Sequence, residues 1–220
     1  MLNMIKMDWF AIKYYQKRVL VICIPLFAIG YISPVLLMPT AAFLFFLFSL
    51  DPFAVEEKGD LNRLYLTLPV KRNDIVAGRY ALSLIIVLCG ILLGLVCMPL
   101  ANRISLSKWY PDLKWILALA AFSLLLYALM NLFMYPLLFK LGYQKGKFWG
   151  MYVPLGVCTT AYAVFWTYTL LPGNEKLVFN MLVYASEHML LVSGGMLVLA
   201  AALLIVSYLL SLRIYLKREF

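Results

Sequence analysis

The stretch DPFAVEEKGDLNRLYLTLPVKRNDIVAGRY, residues 51–80, decides how the chain is interpreted, because it is polar and lies between two strongly apolar runs. It carries ten of the 29 charged side chains of a 220-residue chain. Apolar residues make up 65% of the whole sequence and charged residues 13%, with a mean hydropathy of +0.92. A soluble domain carries about 25% charged residues. The composition therefore predicts an all-α, polytopic membrane protein.

Six apolar segments are long enough, or nearly so, to cross a bilayer, which takes about 20 residues and at least about 17. The first two are short and share the uncharged hairpin SPVLLMPT, so a tilted or partly re-entrant pair is the alternative there. The predicted spans are Val19–Pro34, Pro39–Val55, Ile75–Leu100, Trp115–Phe139, Trp149–Leu171 and Met189–Leu212. Residues 1–220 are thus expected to form a single membrane domain.

Basic residues at the ends of these spans indicate their direction. Fifteen lie on the side that holds both termini and four on the other side, and cytoplasmic loops are the ones enriched in Lys and Arg. We therefore expect both termini in the cytoplasm. The same distribution accounts for the net charge of +9 without a nucleic-acid partner, since the basic residues form no stripe on a polar face.

Two segments outside the spans are predicted to lie at the membrane surface. In residues 1–18, Lys6, Lys13 and Lys17 share one side of a helical wheel beside an apolar patch, which is typical of an interfacial elbow helix. A frayed end is the alternative. Residues 172–188 form an extracellular connector with a short helix, which either covers the molecule from outside or is a passive link.

The quoted stretch becomes the largest cytoplasmic loop, between the second and third spans. Leucine and tyrosine recur there at i, i+3, i+4 and i+7, which predicts an amphipathic helix within residues 56–68, ending before Pro69. We expect its charged side chains, Glu56 and Glu57 among them, to point to the cytosol, and Arg79 to extend toward the headgroups. The helix either only packs on the bilayer or is a docking surface for a cytoplasmic partner.

The run EEKGDLNRLYLTLPVKRNDIVAGRY resembles the corresponding loop of ABC-2 type permeases, in particular the small six-span kind of bacterial exporters. The resemblance rests on an acidic start, a Leu-Pro pair, a basic pair and the final residues DIVAGRY. The matching residues are Glu56, Glu57, Leu68, Pro69, Lys71, Arg72, Asp74, Ile75, Val76, Gly78, Arg79 and Tyr80. The layout of an elbow helix, six spans and two cytoplasmic ends is similar as well.

The resemblance implies the permease subunit of an ATP-driven exporter in a bacterial plasma membrane. Two permeases, identical or paralogous, would form the path, and two copies of a separate ABC ATPase would bind ATP and magnesium. The helix at 56–68 would be the coupling helix that contacts the ATPase. Its contact residues would be Glu56, Glu57, Lys58, Gly59, Asp60, Leu61, Arg63, Leu64 and Tyr65.

The sequence favours no catalytic role for this chain. It contains no G-x-x-x-x-G-K-[ST] phosphate loop, and GYQKGKF at 142–148 has the wrong glycine spacing. The single histidine, His188, lies at the edge of the last span, so intramembrane protease chemistry lacks a base. We therefore expect no catalytic residue, metal site or cofactor here. The main alternative to an exporter is an ATPase-independent six-span channel or immunity-type membrane protein, and a membrane enzyme is a third class.

Polar side chains within two spans are the candidates for lining a transport path. Such groups face protein or water rather than lipid, so hydrogen bonding between helices is the alternative. The candidates are Ser123, Tyr127 and Asn131 in the fourth span and Thr159, Tyr162 and Trp166 in the fifth. Because the spans are apolar and aromatic, with no charge in the middle, they suit hydrophobic or amphipathic cargo. The resemblance implies amphipathic peptides or lipid-like molecules.

A basic loop, KLGYQKGKFW at residues 140–149, is predicted between the fourth and fifth spans. It would be either a second contact with the ATPase or a site for anionic lipid headgroups. Membrane lipids are therefore expected partners in either case.

Overall fold

A computed structural model describes residues 7–9, 17–59, 72–105, 108, 110–170 and 175–217, and these residues contain helices but no strand. The all-α class predicted from the sequence is therefore confirmed. The helices follow in the order α1 (Lys17–Ile32), a 3-10 turn (Pro34–Leu36), α2 (Leu37–Phe48), α3 (Asp51–Gly59), α4 (Arg72–Ile104), α5 (Leu113–Leu141), α6 (Tyr143–Leu170), α7 (Glu175–Glu187) and α8 (Met189–Leu216).

Five stretches of described helix are long and apolar enough to cross a membrane, namely the run Pro34–Gly59 together with α4, α5, α6 and α8. They correspond to the second to sixth predicted spans. Helix α1 lies where the first span was predicted, but its 16 residues make it shorter than the other five. The chain is accordingly a multi-pass membrane protein, and the count of six spans stays a prediction.

The bundle is built around α5, which packs against α2, α6 and α8, while α4 packs against α2 and α8. Aromatic rings fill the space between these helices. The Tyr80 and Tyr135 rings lie 4.8 Å apart, and the Phe53 and Phe139 rings 5.1 Å apart, each pair edge to face. Each such pair contributes about 0.5–1.5 kcal/mol beyond the burial of its area. We call α2, α4, α5 and α8 the packed bundle.

Glycine allows α2 and α4 of the packed bundle to approach closely. A Cβ at Gly94 would lie 2.8 Å from the Cα of Met38, and one at Gly90 would lie 2.8 Å from the Cβ of Phe45. The two glycines are four residues apart, the small-xxx-small spacing that lets backbones meet in a membrane. Larger side chains at these positions would force the two helices apart.

Helix α6 packs closely on the bundle only near its beginning. A Cβ at Gly146 or Gly150 would lie 2.9 or 3.0 Å from the backbone of α5. From Leu155 to Tyr168, by contrast, every described residue is exposed except the half-buried Cys158. We call residues 155–168 the outer half of α6. It makes little contact with the part of the chain that the structure describes.

The beginning of α6 corrects the prediction of a loop at residues 140–149. Gly142 alone separates α5 from α6, and the residues on either side of it are helical. A single residue suffices because Gly142 has φ +81°, a conformation that side-chain-bearing residues rarely adopt. The basic residues of this region therefore lie on helices. Their roles in contacting an ATPase or lipid headgroups stay predictions.

The helix predicted in the connector at 172–188 is confirmed as α7. It follows α6 and leads into α8. Its role as a cover or a passive link stays a prediction. Of the predicted elbow helix at 1–18, residues 7–9 are helical and α1 begins at Lys17, while residues 1–6 and 10–16 lie outside the described residues.

Candidate functional site

One end of the bundle brings together the end of α3, the start of α4 and the junction of α5 with α6. We call it the charged end and define it by Glu56, Glu57 and Arg79. Helix α8 also ends here, since Arg72 Nη1 donates a hydrogen bond of 3.1 Å to the Leu216 carbonyl. The charged end contains the described part of the ATPase-contact segment predicted from the sequence.

The first four residues of that predicted segment are the last four of α3. Glu57, Lys58 and Gly59 are exposed, whereas Glu56 is buried. The other predicted contact residues lie outside the described residues; these are Asp60, Leu61, Arg63, Leu64 and Tyr65. The ATPase contact and the coupling helix at 56–68 therefore stay predictions.

Glu56 and Arg79 form a buried ion pair, which corrects two predictions. Glu56 is only 6% exposed and does not point to the cytosol; its carboxylate accepts a hydrogen bond from Arg79 Nη2. Arg79 is 2% exposed and does not extend to the headgroups. Its guanidinium lies 4.1 Å from the centre of the Phe53 ring and 5.7 Å from that of Phe139. Pairing and ring contact both favour a buried charge that would otherwise be costly.

Asp8 is a second carboxylate beside the same guanidinium. Its Oδ2 lies 3.9 Å from Arg79 Nε, and the residue is buried. Burial raises the pKa of Asp8 above its usual value; the positive charge of Arg79 opposes that rise and the negative charge of Glu56 adds to it. Arg79 thus joins the N-terminal segment and α3 to α4.

Glu57 contacts a different helix, at the start of α6. Its Oε2 accepts hydrogen bonds from the backbone N–H groups of Tyr143 and Gln144, the second at 3.1 Å. The carbonyl of Gly142 accepts the N–H of Gly146, so Gly142 is the N-cap residue of α6. Glycine has no side chain with which to cap a helix. The capping oxygen therefore comes from α3.

The two adjacent glutamates face one cavity of about 200 Å³ and join α3 to two different helices. Glu56 binds α4 and Glu57 binds α6. The lining residues are Phe53, Glu56, Glu57, Arg79, Leu138, Phe139, Leu141, Gly142 and Tyr143. A displacement of α3 would consequently act on both helices at once.

The path candidates of the fourth span lie inside the packed bundle. Ser123, Tyr127 and Asn131 are all buried. The Tyr127 hydroxyl lies 2.8 Å from Ser83 Oγ on α4 and accepts a 3.0 Å hydrogen bond from Asn131 Nδ2. Ser207 Oγ on α8 donates a 3.0 Å hydrogen bond to the Asn131 carbonyl. Within this chain Tyr127 and Asn131 join α5 to α4 and α8. The role of the three path candidates in lining a path stays a prediction.

The path candidates of the fifth span lie on the outer half of α6. Trp166 is 55% exposed, and Thr159 is exposed with its hydroxyl donating to the Gly156 carbonyl of the same helix. The side chain of Tyr162 lies outside the described part of the structure. The structure therefore does not bring the two sets of path candidates together within one chain.

Besides the contact of Glu57 with α6, two features of this site were not predicted from the sequence. One is the pairing of Arg79 with Glu56 and Asp8; an arginine within the apolar run IVAGRYALS was a signal that it needs a buried partner. The other is the role of Tyr80, whose hydroxyl lies 2.7 and 2.8 Å from the hydroxyls of Ser207 and Ser211. The two serines are four residues apart on α8, a spacing that places them on one face.

The family model described as ABC-2 family transporter protein matches residues 3–216. No curated protein and no solved structure matches the chain. The matched range includes the charged end, the packed bundle and all of α6.

Proposed function

Since the chain belongs to the ABC-2 family of transporter proteins, we propose that it is the permease subunit of an ABC exporter in a bacterial plasma membrane. The family consists of membrane transport subunits that are not themselves ATPases, and it implies an ABC ATPase as partner. The proposed cargo is hydrophobic or amphipathic, with peptides as the favoured class. The match over nearly the whole chain is the observation that carries the proposal.

The energy for transport would come from two copies of a separate ATPase, which bind ATP and magnesium. The sequence itself holds no phosphate-binding loop of the Walker type. The proposed docking element is the segment 56–68, in which Lys58 and Gly59 are exposed at the charged end. The charged end would face the cytoplasm, in keeping with the excess of basic residues on that side.

The proposed path lies between two permeases, identical or paralogous, and is lined by the outer half of α6. Three observations support this placement. The outer half is exposed in the single chain, it carries the aromatic side chains Trp166 and Tyr168, and it carries the hydroxyls of Thr159 and Thr167. A surface of rings and hydroxyls offers both apolar and hydrogen-bonding contacts, as an amphipathic cargo requires.

Co-purification tests the proposal. The chain is co-expressed with an ABC ATPase encoded beside it and captured from detergent extracts. The double variant Lys58→Glu with Leu64→Lys is expected to lose the ATPase while still inserting into the membrane. The control, Lys114→Glu, repeats the lysine-to-glutamate substitution just after the start of α5, remote from the charged end, and should retain the ATPase. If the double variant retains the ATPase, the proposed docking element is wrong. If no ATPase co-purifies with the wild type, the ATPase-independent channel is favoured instead.

A further inference from the structure

We infer that Glu57 is a positioning residue that transmits movement of the ATPase-docking segment to α6, by capping the start of that helix from α3. The inference rests on the proposed function, because it takes the docking segment as the source of the movement. It adds α6 to the two helices that the chain connects directly to this segment. Those two are α3, whose last four residues begin the segment, and α4, which follows it.

Helix α6 depends on α3 for its cap. The four N–H groups at the start of a helix need acceptors from outside that helix. Two of these groups, on Tyr143 and Gln144, donate to Glu57. The first turn of α6 contains no acidic residue, and Gly142 offers no side chain. The negative charge of Glu57 also complements the positive end of the α6 dipole.

Helix α6 can tilt once its beginning moves, because its close packing ends near the charged end. Close packing on α5 is provided by Gly146 and Gly150, near the charged end. Pro154 follows inside the helix and cannot donate a hydrogen bond to the Gly150 carbonyl, so bending is easiest there. The outer half beyond it is exposed. A displacement of the first turns would therefore change the direction of the outer half rather than be absorbed by packing.

The two glutamates have separate roles. Glu56 is buried and paired with Arg79, whose guanidinium lies over two aromatic rings, so breaking this pair would leave charges without compensation. This pair therefore keeps α3 attached to α4 while the docking segment moves. Glu57 is exposed and contacts α6 through backbone hydrogen bonds. Removing its carboxylate would disconnect α6 while leaving α3 on α4.

Hydrogen exchange of the permease in lipid nanodiscs tests the cap without the ATPase. In Glu57→Ala the amides of Tyr143 and Gln144 should exchange about fivefold faster than in the wild type, the factor expected for loss of one capping side chain. Lys58→Ala, its exposed neighbour, should leave both rates unchanged. Equal rates in wild type and Glu57→Ala, or an equal rise in both variants, would overturn the inference.

Spin-label distances in the complex with the ATPase test the transmission. Labels are placed at Val164 on the outer half of α6 and at Leu92 on α4, both exposed, with the native cysteines replaced by serine. The Glu57 carboxylate is already bonded to α6 and not left for the ATPase, so both wild type and Glu57→Ala should bind the ATPase. ATP should then shift this distance in the wild type and not in Glu57→Ala. A shift of equal size in Glu57→Ala overturns the inference, and so does loss of ATPase binding in that variant, which would make Glu57 a docking residue. Absence of binding to the wild type overturns the proposed function instead, while the exchange rates still decide the cap.

Discussion

The packed bundle and the outer half of α6 use similar side chains in opposite ways. In the bundle, hydroxyl groups bond across helices, as Ser83 does with Tyr127 and Ser207 with the Asn131 carbonyl. On the outer half of α6, the Thr159 hydroxyl bonds to a carbonyl of its own helix. Polar groups of the first kind hold helices together. Those of the second kind leave their surface available to another molecule.

The same contrast holds for glycine. Gly90 and Gly94 lie where α2 and α4 meet, whereas a Cβ at Gly156 would meet nothing within 4 Å. Composition alone therefore does not distinguish a residue that permits packing from one that is merely tolerated. The difference lies in the neighbouring helix, and substitutions made in matched pairs can measure it. For each pair of variants, stability is the free energy of unfolding, with both variants measured in the same detergent.

The largest effect is expected from Arg79→Met. The substitution leaves the buried carboxylates of Glu56 and Asp8 without their cation, and removal of one partner from a buried pair costs about 3–5 kcal/mol. Thermal unfolding followed by intrinsic fluorescence measures the loss. Arg213→Met, at an exposed position of α8, should change stability little. Equal effects of the two would mean that the buried pair contributes nothing to the fold.

A smaller effect is expected from Gly94→Ile in the packed bundle. The added atoms collide with the backbone at Met38, and overpacking of this kind costs about 1–3 kcal/mol. Gly156→Ile adds the same atoms to the outer half of α6 and should leave stability nearly unchanged. Denaturant-induced unfolding of both variants provides the comparison. If Gly156→Ile were the more damaging change, the outer half would be packed after all.

Asn131→Leu should have a still smaller effect, because it removes the 3.4 Å hydrogen bond from Ser207 Oγ to the Asn131 side-chain oxygen but keeps the side-chain volume and the bond to the Asn131 backbone carbonyl. Interhelical hydrogen bonds in membranes contribute about 0.6 kcal/mol on average, with a maximum of about 1.7 kcal/mol. Thr159→Val on α6 loses only a bond within its own helix and should be neutral. The same unfolding assay distinguishes them. A neutral Asn131→Leu would show that the Asn131 side chain does not help to hold α5 and α8 together.

The smallest effect concerns Asp8 and pH. Because burial raises the pKa of Asp8 in the folded state, its contribution to stability is fully present below the usual value of 3.8 and declines as pH rises through the raised value. Asp8→Asn removes this decline and leaves the Arg79–Glu56 pair in place. Unfolding curves measured from acidic to neutral pH should therefore fall less steeply for the variant. A steeper fall would mean that the charge of Arg79 outweighs burial.

Much of the fold could be predicted because membrane helices follow from long apolar runs. The spans predicted at Ile75–Leu100, Trp115–Phe139 and Met189–Leu212 all lie within observed helices. The family was also predictable, since the polar motif around the Leu-Pro pair lies between two such runs. The boundaries were less accurate near Gly142. A basic and glycine-containing segment resembles a loop in sequence, although here it begins a helix.

The interior of the site was not predictable, because it depends on contacts between distant residues. The buried pair joins Glu56 to Arg79, and the cap joins Glu57 to Tyr143. Both glutamates lie in a polar stretch and were expected to face the cytosol, since neither periodicity nor hydropathy shows which helix lies beside them. The sequence predicted that the acidic pair matters. Its two separate contacts emerged only from the packing of α3 against α4 and α6.

The division between a packed bundle and a tilting α6 is tested most directly by two spin-label pairs in the complex with the ATPase. One pair joins Val164 on α6 to Leu92 on α4, and the other joins Leu92 to Leu197 on α8, all exposed positions. Addition of ATP should change the first distance and leave the second unchanged. A change in the second distance as large as that in the first would contradict the division, since α4 and α8 would then shift against each other as much as α4 and α6 do.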